Sequence, residues 1–69
     1  MIGLCVEMHV DVRHVPHLVL AEATDDELQT MAIENVFVRR WWWLLNLETG
    51  RPDVWPERDV SHAVGRSRA

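Results

Sequence analysis

Three tryptophans in a row beneath two arginines, Arg39-Arg40-Trp41-Trp42-Trp43-Leu44-Leu45, set the terms on which this chain can fold. Each indole carries roughly 200 Å² of surface that favours burial. With 69 residues the chain makes one domain, in the size range where a single core is only marginally stable. Where the three rings go therefore decides the architecture.

Read in order, the chain begins with an unbroken alternation from Ile2 to Val12: Ile2, Leu4, Val6, Met8, Val10 and Val12 on one side, Gly3, Cys5, Glu7, His9 and Asp11 on the other. A period of two predicts a half-buried strand, with Cys5 as a small core residue. Pro16 lacks a backbone donor and is expected to end the ladder or confine it to an edge, with a short extended piece from His17 to Leu20 after it. Thr24-Asp25-Asp26-Glu27 is a capping box that starts a helix. Leu28, Met31 and Ala32, with Ile33 or Asn35, give that helix an inward stripe, and Asn35 suits its C-terminal stop.

The β-branched and aromatic run Val36 to Leu47 predicts a long central strand, with a helix continuing from Ala32 to Leu47 as the alternative. Glu48-Thr49-Gly50-Arg51 reads as a hairpin turn and Pro52 to Trp55 as the return strand. Pro56 fits the first position of a closing helix to Val64 that docks through Val60, Ala63 and Val64 and stops at Gly65. The expectation is a single α+β domain over residues 1–65: an antiparallel sheet of about three strands packed against one acidic helix, with a short C-terminal helix. Residues 66–69 would be a frayed tail.

As a strand, the tryptophan run sends Trp41, Trp43, Leu45 and Leu47 to one face and Val38, Arg40, Trp42 and Leu44 to the other. The first face is expected to be the core, packed on the acidic helix. The second is covered only if the C-terminal segment reaches it. Otherwise Trp42 beside Arg40 forms an exposed aromatic and arginine patch of the kind enriched at binding hot spots.

Catalytic chemistry is not visible. Cys5 and His9 lie on one side of the first strand but roughly 13 Å apart, beyond hydrogen-bond reach. The three glycines, at 3, 50 and 65, make no phosphate loop. His14 and His17 are three apart around Pro16, yet the histidines at 9, 14, 17 and 62 match no zinc spacing and read as solvated or locally hydrogen-bonded. No enzyme activity, cofactor or metal is expected. The single cysteine, the absence of a signal peptide and the lack of a long apolar run point to a cytoplasmic protein that does not cross a membrane.

Charge is the remaining signal. The net charge of −4 hides an asymmetry, because residues 1–38 hold seven acids against Arg13 alone and residues 39–69 hold six arginines against four acids. Glu22, Asp25, Asp26, Glu27 and Glu34 form an acidic block that could steer the protein onto a basic partner. In size, acidity and lack of chemistry the chain resembles small phage-encoded inhibitors, including anti-CRISPR proteins. That resemblance implies carboxylates standing in for phosphates on a nucleic-acid-binding surface of a host protein or complex, such as a CRISPR effector subunit. The expected site is Glu22, Asp25, Asp26, Glu27, Glu34, Arg40 and Trp42, on a monomer or weak homodimer. Two alternatives are a single-stranded nucleic-acid binder using Arg39, Arg40 and Trp42, which the excess of acid disfavours, and a homo-oligomeric structural subunit joined through the Trp42 face.

Overall fold

A computed structural model of the chain describes residues 2–33 and 40–67. The fold is α+β, with elements in the order β1 (Cys5–Val10), β2 (Arg13–Glu22), α1 (Asp25–Thr30), β3 (Trp41–Asn46), β4 (Pro52–Pro56) and α2 (Glu57–Ser67). The strands form one antiparallel sheet in the order β1-β2-β3-β4, so every strand pairs with its neighbour in sequence. Among the described residues there are four strands, one more than the alternation suggested.

The extra strand comes from a turn that the alternation conceals. Val10 pairs with Arg13, leaving Asp11 and Val12 as a two-residue loop. Asp11 takes φ 55°, a left-handed conformation that aspartate tolerates better than most residues. Val12, which continues the apolar pattern, is 90% exposed. The chain doubles back here, and β2 becomes a central strand with Pro16 inside it. Pro16 is tolerated because of its register: its carbonyl accepts from the Leu47 N–H at 3.0 Å, one step beyond His17↔Asn46, the last pair of β2 with β3. The missing donor therefore falls where that ladder is already ending.

Further along β2 the register slips between Val19, which faces Leu44, and Ala21, which faces Trp43. Leu20 is the inserted residue of this β-bulge, which turns Ala21 to the face opposite Val19. At the other end of β3 the chain reverses through Gly50 at φ 74°, as expected for the Glu48–Arg51 turn. Asn46 organises this reversal: its side-chain oxygen accepts from the Glu48 and Thr49 N–H groups at 2.8 and 3.1 Å.

The main core lies between the sheet and α2. Val6, Met8, Val19, Trp42 and Leu44 from one face of the sheet meet Val60 and Ala63 from α2, with Trp55 and Val64 packed at the edge. Leu44 and Val60 are fully buried. Val60, Ala63 and Val64 recur at helical spacing, so the docking stripe of α2 is the one its sequence announces. Gly65, expected as the stop, sits inside a helix that runs to Ser67. An interior glycine costs about 1 kcal/mol relative to alanine.

This arrangement reverses the expected assignment of the tryptophans. Trp42 belongs to the covered face, while Trp41 and Trp43 are half-buried on the other. The cause is helix length. α1 has six residues, none of them buried, and it ends as Ala32 takes φ 57°. Of its expected inward stripe, Leu28 and Ile33 are half-buried while Met31, 41% exposed, and Ala32 are not covered. A helix of eleven residues can cover a sheet face; one of six cannot. Trp41–Asn46 is strand, and the expectations placed on Asn35, Val36 to Val38 and Arg39 lie outside the described residues.

One smaller expectation changes, and another is met in a buried setting. Cys5 is exposed rather than part of the core. His17 is locally hydrogen-bonded, as expected, its Nδ1 lying 2.8 Å from the Val15 carbonyl oxygen, but it is 1% exposed on the covered face with its ring edge-on to Trp55. Among the described residues no helix is long and apolar enough to cross a membrane.

Candidate protein-binding site

The site is assembled by one carboxylate. Thr24 caps α1, accepting from the Glu27 N–H at 3.2 Å, and the Thr24 N–H donates to Glu27 Oε1 at 2.9 Å. This is the reciprocal box that the sequence signals. The other carboxylate oxygen, Oε2, accepts from the Trp43 indole N–H at 2.8 Å. Glu27 thus spends one oxygen on starting α1 and the other on holding it against β3.

These contacts favour the charged form of Glu27. The Thr24 backbone donor, then the Thr24 side chain, and more weakly Trp43 hold the carboxyl below its ordinary value. A group whose pKa is lower in the folded state contributes stability that is present above its unfolded value and lost as the pH falls through the folded one. The stability difference between wild type and Glu27→Ala should therefore be constant near neutrality and shrink only below about pH 4.3, the ordinary glutamate value. Urea denaturation across a pH series measures this. A difference that does not change down to pH 2 would show that the charge of Glu27 contributes nothing.

Beside this anchor, Asp26, Glu27, Thr30, Met31 and Trp43 line a shallow recess of about 310 Å³. Trp43 and Met31 give this recess an apolar lining, and Asp26 and Glu27 of α1 border it. Asp25 is exposed next to it on the first turn of α1, and Glu22 is exposed at the end of β2. Arg40 lies with its Nε 3.6 Å from Glu22 Oε1, an exposed pair worth at most about 1 kcal/mol. Of the residues expected from sequence, Asp25, Asp26 and Glu27 stand on the first turn of α1, Glu22 and Arg40 pair with each other, and Glu34 lies outside the described residues.

Trp42 does not join them. It is 9% exposed beneath α2, on the other side of the sheet. The tryptophan beside α1 is Trp43, expected in the core, whose indole donates to Glu27. The alternation within the tryptophan run was the signal for it, once the face that α2 covers is known. The indole N–H groups of Trp42 and Trp55 meet no protein acceptor among the described residues, whereas that of Trp43 has a carboxylate.

No protein-family model, curated protein or solved structure matches this chain.

Proposed function

We propose that this protein is a non-enzymatic protein-binding module that presents α1 and the Trp43 recess to a basic surface of a partner protein. The observation that carries the proposal is an apolar recess lined by Trp43 and Met31 beside the helix that bears Asp25, Asp26 and Glu27. That pairing suits an arginine or lysine side chain, whose apolar stem lies along the rings and whose cation meets the acids. A short helix with no fully buried residue, whose Asp25 and Asp26 are exposed, has its acidic turn available for such a contact. In its finer form the proposal is an inhibitor whose carboxylates occupy a nucleic-acid-binding surface in place of phosphates, a CRISPR effector subunit being one such target.

The alternatives lose their central residue. A stacking platform for single-stranded bases, or an oligomer joined through the Trp42 face, would need an indole that here lies under α2.

The test is affinity capture from host extract with wild type and Asp25→Lys/Asp26→Lys as paired baits. Glu27 is left intact because it caps α1 and holds Trp43. A partner recovered by wild type should bind the double variant at least tenfold more weakly, and its wild-type affinity should fall as salt rises. A partner that binds both baits equally, with circular dichroism showing both folded, would refute the proposal.

A further inference from the structure

The hairpin that the sequence hides also creates a pair of histidines. His9 on β1 and His14 on β2 are directly opposite, one step from the Val10↔Arg13 pair that closes the loop. In a hairpin with a two-residue loop this is the position where the backbones approach most closely and facing side chains are nearest. The two imidazoles stack with centroids 5.2 Å apart and planes inclined by 28°. Both residues are exposed, so their rings can rotate without disturbing the core.

We infer that His9 and His14 form a two-imidazole surface site for a divalent first-row ion of the zinc class. Imidazole nitrogen is a favoured ligand for zinc, copper and nickel. Two nitrogens bound at 2.0–2.1 Å to one tetrahedral ion lie roughly 3.3 Å apart, a separation that these exposed rings reach by turning out of the stack about their side-chain bonds so that both in-plane lone pairs converge. The fixed strand register holds the second ring beside the first, so the second bond forms at high effective concentration. Among the described residues no group of three or more histidine, cysteine, aspartate or glutamate side chains gathers as a metal cage. The ion is therefore held by two protein ligands, with water completing its shell. The site is remote in sequence from α1 and does not depend on the function proposed for it.

Calorimetric titration of the full chain with zinc chloride alone, in a buffer free of chelators, tests the site. Wild type should bind one ion per chain. His9→Gln and His14→Gln should each weaken binding at least tenfold, and Cys5→Ser, which removes the exposed thiol on the same strand, should leave it unchanged. Because both histidines are exposed, the glutamine variants should keep the wild-type circular dichroism spectrum. No binding by wild type at millimolar zinc, binding by either glutamine variant equal to wild type, or loss of binding in Cys5→Ser would each overturn the assignment.

Discussion

Replacing Trp42 with alanine should unfold this protein, whereas the same change at Trp43 should leave it folded. The two residues are adjacent and chemically identical, so the contrast isolates their surroundings. Trp42 is buried among Val6, Met8, Val19, Leu44, Val60 and Ala63. Removing a buried tryptophan costs about 3–5 kcal/mol, from lost transfer free energy and the cavity left behind. At the usual 0.05–0.15 kcal/mol per residue, a domain of this length has roughly 3–10 kcal/mol in total. The loss at Trp42 is comparable to the whole. Trp43 is half-buried, and its indole makes one hydrogen bond, to the half-buried Glu27 carboxylate. Its removal should cost about 1–2 kcal/mol and free α1 from β3. Urea denaturation of the two variants, with amide proton dispersion as a check on folding, decides the matter. Equal stability of the two would show that the covered face of the sheet has been misassigned.

Substituting Val60 by aspartate should be as damaging. Val60 is fully buried at the centre of the α2 contact. A carboxylate there would have to leave water or drive the helix off the sheet. Leaving a charge buried without a partner typically costs about 3–5 kcal/mol. The expected result is loss of near-ultraviolet circular dichroism and of cooperative thermal unfolding. A Val60→Asp variant that melts cooperatively within a few degrees of wild type would mean that α2 is dispensable to the core. Asp59, next to it and exposed, provides the control, since Asp59→Ala should change stability little.

Features set by local chemistry were legible in the sequence. The Thr24 capping box, the Gly50 turn and the Val60, Ala63 and Val64 stripe each depend on a few neighbouring residues, and each is present. The alternation of the tryptophans was legible too: neighbours in the run do face opposite sides. Which side becomes the core was not, because that depends on the relative lengths of two helices and on where α1 stops. Ala32 gives no sequence warning of its left-handed backbone. The Asp11–Val12 turn was hidden for a related reason, since Val10 and Val12 maintain the period of two through a loop that contains no glycine or proline. That one omission removed a strand from the expected sheet, left Pro16 as a terminator and kept His9 apart from His14. For the site, the carboxylates were legible as a charge block. Trp43 was not, because its place beside Glu27 follows from tertiary packing.

The meander has a consequence in time. All four strands precede α2 in the chain, and each pairs with the one made just before it, so the sheet can form by local steps during synthesis. Its Trp42 face, however, waits for α2, the element translated after the last strand. Through that interval the nascent domain is a sheet with a naked greasy side, open to chaperones and to aggregation until α2 emerges and docks.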